Sequence, residues 1–183
     1  MDAGHRGRRS HRWSFHLEEI RLNANCASQT GKANLAHLFH ADCSPEDLQT
    51  LRDGLARVPG SDEGRALIWE RFQFNYSTVG VLRDADGRIA FFVFFEVHGH
   101  EPSSAREFFI SGACALDSTL LDATGKVVPQ LERFARCLDC QSMKVQTPRP
   151  GLVVKLVEHH GFFVDREGVT ETGSKEFLLR KRL

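Results

Sequence analysis

Apolar and polar positions change period several times along the chain, and each change marks an element. REFFISGACALDS, from Arg106, sets Phe, Ile and small residues between polar ones, the pattern of a buried strand. The following LDATGKVVPQLERFARCLDC places Val127, Leu131, Phe134, Ala135 and Leu138 at helical spacing, with Glu132, Arg133 and Arg136 off that stripe. SMKVQT alternates as a short strand. PRPGLVVKLVEHHGF predicts a helix opened by Pro150 and closed by Gly161, a residue type that accepts a left-handed cap. Strand, helix, strand and helix in succession define a parallel crossover unit with a return helix.

The remaining pattern is arranged around that unit. WSFHLEEIRLN suggests a first strand, its later part equally a helix, and the segment Ala33–Phe39 a short helix. In SPEDLQTLRDGLARV, Ser44 is an N-cap, Pro45 stands at the first helical position, and Asp47 is spaced to complete the cap. Leu48, Leu51, Leu55 and Val58 form its apolar face, and Pro59-Gly60 ends it. DEGRALIWERFQF predicts a second helix with Leu67, Ile68, Arg71 and Phe72 on its face. TVGVLRDADGRIAFFVFFEVHG reads as a hairpin turned at Asp84–Gly87. Its Phe91–Phe95 run is continuously apolar, so both faces of that strand should be covered. FFVDREGVTETG and KEFLLRKRL predict two closing strands.

Composition narrows the class. The chain has 183 residues, 41% of them apolar, which suits one globular domain with a sizeable core. No apolar run is long enough for a membrane helix. Lys plus Arg equal Asp plus Glu at 24 each, so net charge gives no bias towards nucleic acid or acidic lipid. The exception is local: Arg6, Arg8, Arg9 and Arg12 form a basic head that lacks the apolar core of a secretory signal. Residues 1–12 therefore read as a solvated tail or as a salt-sensitive nucleic-acid arm, and residues 13–183 as one domain. Five cysteines without an export signal point to free thiols and a cytoplasmic setting.

The element order resembles the GNAT N-acetyltransferase superfamily, an α+β fold with a mixed sheet of about six to seven strands and about four helices. EHHGFFVD followed by KEFLLRKRL is similar to that family's ending. Together with PQLERFARCLDC and VQTPRPG it also resembles small GNAT-like proteins of bacteriophages and prophages.

The resemblance implies acetyl transfer from acetyl-CoA to an amine acceptor, and it directs attention to particular residues. The family's phosphate loop corresponds to ALDSTLLDATGKVV, which holds only Gly125 and carries Asp117 and Asp122. Thr124, Gly125 and Lys126 are either a minimal anion site at a helix start or an ordinary N-terminus capped by Asp122 or Thr124. Gly112 permits a strand bulge, with Ala113, Cys114 and Ala115 offering backbone to the cofactor's pantetheine arm; close helix packing is the alternative. Where many members place a proton-donating Tyr, four residues before the Gly of Gly-Phe, this chain has Val157. The implied general base is Glu96, then His98 and His100. A fold without catalysis, used as a binding or structural module, is the competing expectation, and a nucleic-acid role a third.

Metal chemistry is a weaker reading. Cys137-x-x-Cys140 has metal or redox spacing, and His37-x-x-His40-x-x-Cys43 lies far away in sequence; buried thiols and ordinary histidines account for both, and no metal ligand set is assigned.

Overall fold

A computed structural model describes residues 35–99, 105–117, 120, 123–169 and 173–183. Its sheet has seven strands: β1 (Ala36–Leu38), β2 (Thr78–Arg83), β3 (Ile89–His98), β4 (Arg106–Ala115), β5 (Cys140–Thr147), β6 (Phe163–Val169) and β7 (Lys175–Arg182). Their spatial order is β1-β2-β3-β4-β5-β7-β6. Four α-helices join them: α1 (Pro45–Leu55), α2 (Asp62–Gln73), α3 (Thr124–Cys137) and α4 (Pro150–His160). β4 and β5 run parallel across α3, and the other neighbouring strands are antiparallel. This is the mixed α+β architecture expected from the pattern. The basic head, the first-strand segment and His100 fall outside the described residues.

Alternation on β3 and β4 separates two cores. Phe92, Phe94 and Cys114 pack with Leu51 and Leu55 of α1 and Phe72 of α2. Val93, Phe95, Phe108 and Ile110 pack on the opposite face with Leu131, Phe134 and Leu138 of α3. A strand covered on both sides explains the continuous apolar run, and it leaves the hairpin phenylalanines no role on the surface. The β2–β3 turn is held by Asp84, whose Oδ1 accepts from the amides of Asp86 and Arg88, each at 2.9 Å.

Helix ends follow the local chemistry. Ser44 Oγ accepts from the Asp47 amide at 3.1 Å. The Asp47 carboxylate keeps hydrogen bonding to Ser44 at the cap and also meets both terminal nitrogens of Arg83 at 2.9 Å. Gly161 closes α4 at φ 68°. Two expectations fail. The segment Ala33–Phe39 holds the edge strand β1 instead of a helix, because pairing with β2 at Ala36–Val81 and Leu38–Val79 outweighs local preference. The α2 face is also rotated: Leu67 is 52% exposed, while Trp69 packs against the core.

Candidate active site

β4 carries one residue too many for β3. Phe94 pairs with Gly112 and Phe95 with Ile110, so Ser111 stands unpaired as a bulge. Its hydroxyl donates to the Phe94 carbonyl at 3.3 Å, which fixes the kink. On the other side, β4 and β5 pair only as far as Ile110–Val145. Beyond that point Ser111–Ala115 continue as strand with no partner from β5, and the two strands part.

A cleft of about 70 Å³ opens there, lined by Ile110–Ala113 on β4, Val145–Thr147 on β5, Val58 beyond α1, and Arg149 and Leu152 at α4. A Cβ on Gly112 would meet Ile68, Val58 and Leu55 at 3.5–3.9 Å, ordinary contact distances. Steric demand for glycine at position 112 is therefore absent, and the bulge beside it is the structural reason for the opening.

Of the residues expected to touch a cofactor, Ala113 lines this cleft, and Cys114 and Ala115 extend the same unpaired edge. The Cys114 side chain turns into the α1 core. Burial pushes its thiol up, against the pull of Arg57 and Arg149. Nothing in the local sequence around those two arginines distinguishes them, and it is the fold that brings Arg149 to the cleft.

Thr124, Gly125 and Lys126 do begin a helix, but they do not line the cleft. The N-cap is Ala123, whose side chain makes no cap hydrogen bond, and Asp122 lies outside the described residues. Among the described residues, several amides before and at the start of this helix are already bonded. The amides of Leu116 and Asp117 both donate to the Ala90 carbonyl, at 2.8 and 3.1 Å, and those of Lys126 and Val127 to that of Ala123.

Glu96 and His98 are brought together. Glu96 is 6% exposed, and its Oε2 receives Arg71 of α2 at 2.6 Å and His98 Nε2 at 3.0 Å. The His98 ring lies parallel to Phe109, 5.5 Å between centroids, and remains open to solvent. Phe109 precedes Ile110, the first strand residue of the cleft. Further along the same sheet face, Glu107 bonds Lys144 Nζ at 2.6 Å and faces Arg180 at 3.5 Å. Burial alone raises the Glu107 carboxyl, but these cations and the Ser142 hydroxyl outweigh it and hold it low.

Val157 is 39% exposed on α4 and is not among the cleft residues. The chain's single tyrosine is Tyr76, in the turn after α2. Among the described residues no three His, Cys, Asp or Glu form a metal-sized group. His37 stacks on Phe134 of the α3 side, whereas His40 points edge-on at Phe72 of the other core, so the two face apart. Among these residues no helix is long and apolar enough to cross a membrane.

The sheet order, the bulge and the parted strands define a GNAT fold. Solved structures agree. The chain superposes on a structure from the NatC complex bound to Gag peptide and CoA with a TM-score of 0.59, at 12% identity, covering 81% of this chain and 98% of that one. It superposes equally on a mutant of the spermidine N-acetyltransferase SpeG from Vibrio cholerae, with a TM-score of 0.59 at 14% identity, covering 84% and 95%. At such identities the likeness is one of fold. No protein-family model matches the chain, and no curated protein matches it in sequence.

Proposed function

We propose that this protein binds acetyl-CoA in the β4–β5 cleft and transfers the acetyl group to an amine. The observation that carries this reading is the free backbone edge of Ser111–Ala115, which faces a slot rather than a neighbouring strand. An extended amide-bearing arm completes such an edge by adding hydrogen bonds as a further strand. The GNAT fold supports the cofactor class, and the neighbour crystallised with CoA supports it further.

The base in this reading is His98, with Glu96 as its positioning residue. Glu96 Oε2 accepts hydrogen bonds from Arg71 and from Nε2–H of His98, which leaves Nδ1 as the proton acceptor in the neutral ring. The amine nitrogen attacks the thioester carbon while His98 takes its proton. The C–S bond then breaks, and the departing thiolate, a comparatively weak base, takes a proton from water. His100 stays in this reading as a further candidate base.

The test is addition of acetyl-CoA during thermal unfolding, followed by thiol release with a panel of diamines, amino acids and peptide N-termini. Binding to the native state raises the melting temperature, and turnover with one class identifies the acceptor. A second reading, a GNAT-shaped binding module without catalysis, is favoured by Val157, an apolar residue where a proton donor is expected. Binding without thiol release from any amine would select it.

A further inference from the structure

Strand register lines up two rows of side chains on one face of the sheet, because residues paired across neighbouring strands point the same way. One row runs His98, Glu107, Ser142 and Arg182 from β3 to β7. The next runs Glu96, Phe109, Lys144 and Arg180. On β5 and β7 these side chains belong to neither apolar core, so this half of the face is an open shelf that begins at the proposed base.

Donors and acceptors on the shelf are not balanced. The two carboxylates nearest His98 are already engaged: Glu96 by Arg71 and His98, and Glu107 by Lys144 Nζ at 2.6 Å and the Ser142 hydroxyl at 3.3 Å. Guanidinium capacity is left over. Arg180 stands 3.5 Å from Glu107 and 3.6 Å from Asp165, longer than a charge-assisted hydrogen bond, and its Nε has no partner. Arg182 is exposed, and its side chain makes no ion pair or hydrogen bond among the described residues. An incoming ammonium would meet engaged carboxylates, whereas an incoming carboxylate meets unspent N–H donors.

We infer that the acceptor is an acidic peptide, its N-terminal amine at His98 and its side-chain carboxylates at Arg180 and Arg182. This rests on the acyl-transfer reading above and names the substrate class of that site. Three strand spacings separate β3 from β7, which sets the amine and the carboxylates about 14 Å apart. An extended chain advances about 3.4 Å per residue, so the acidic side chains belong to about the fourth and fifth residues. A single amino acid is too short to reach both ends. Half-buried Phe109, parallel to the His98 ring, gives the intervening residues an apolar floor. Guanidinium groups match carboxylate oxygens with paired N–H donors, which suits the far end of the shelf to this anion.

The experiment follows three pentapeptides with free N-termini, by calorimetry and by thiol release from acetyl-CoA: three alanines followed by two Glu, two Gln or two Lys. The proteins are the wild type, Arg180→Gln, Arg182→Gln and, on the exposed β2–β3 hairpin away from the shelf, Arg88→Gln. Wild type should bind the Glu peptide about tenfold or more tighter than the Gln peptide, and the Lys peptide most weakly. Arg182→Gln, which removes no contact from the fold, should cut that preference by about fivefold or more at an unchanged melting temperature. Arg180→Gln should cut it likewise, and Arg88→Gln should match wild type. In thiol release the loss appears in KM, with kcat unchanged. Equal binding of the Glu and Gln peptides by wild type, or a preference that survives in both shelf variants, overturns the inference; thiol release in the same assay then still upholds acyl transfer. Selective binding of the Glu peptide without thiol release keeps the shelf as an acidic-peptide site and removes the transfer reading. If no peptide binds, the inference falls whatever acetyl-CoA does.

Discussion

Arg71 and His98 converge on a single oxygen of Glu96, one from helix α2 and one from two residues along the same strand. This arrangement separates the stability role of the carboxylate from its proposed chemical role. Arg71→Met strands a buried anion, and we expect it to destabilise the fold by about 2 kcal/mol, moderated by the guanidinium's partial exposure. Urea denaturation measures this. His98→Ala, on an exposed ring, should leave the unfolding midpoint nearly unchanged and lower kcat by about a hundredfold or more. A kcat unchanged by His98→Ala would remove that residue from the mechanism.

Glycines near the site are not equivalent. A Cβ at Gly54 would strike the Phe92 ring and approach Leu116 Cδ2 at 2.9 Å, whereas at Gly112 every neighbour is 3.5 Å or more away. Gly54→Ala should therefore destabilise by about 1–3 kcal/mol through forced repacking. Gly112→Ala should stay within about 0.5 kcal/mol. Thermal unfolding of the pair checks the contrast, and equal losses would contradict the described packing.

His37 makes stability depend on pH. Burial between Phe95 and Phe134 lowers its pKa from 6.5 to about 4, and its Nδ1 is buried without a partner. The unfolded chain binds this proton more readily. Stability therefore falls as pH drops below the unfolded value near 6.5 and levels off below about 4. A single such proton changes the folding constant by at most about tenfold per pH unit. His37→Phe should flatten that limb of the profile in denaturation curves taken between these limits.

The Asp47–Arg83 pair ties the start of α1 to the hairpin with two parallel hydrogen bonds. Its strongest influence on Asp47 is the Arg83 hydrogen bond, which holds the carboxyl below its ordinary 3.8. That stabilisation is present above the unfolded pKa and lost as pH falls through the lower folded value. A double-mutant cycle with Asp47→Asn and Arg83→Gln should give a coupling of about 1 kcal/mol, weakened by salt. A coupling of zero at low salt would make the pair ornamental.

What the amino-acid order reveals is local. Ser44, Pro150 and Gly161 mark helix ends because capping and left-handed backbone are decided within a few residues. The Phe-rich run declares a central strand because two covered faces need apolar residues at every position. β1 escapes such reading: three residues owe their extended form to a partner more than forty positions away. Arg149 escapes for the same reason, since its place at the cleft depends on the tertiary approach of α4 to β4 and β5. Glu96 and His98 were visible as candidates, but Arg71 was visible only as a member of a helix face, not as the counter-ion of Glu96.

The short β4–β5 seam also divides the sheet mechanically. Hydrogen bonding between its antiparallel β1–β4 half and its β5–β7–β6 half passes only through the Arg106–Ile110 side of the junction. Amides of the free segment that point across the slot should therefore exchange with deuterated solvent far faster than those facing β3. A cofactor arm seated in the slot would slow them selectively, so the occupied edge can be mapped amide by amide without observing turnover.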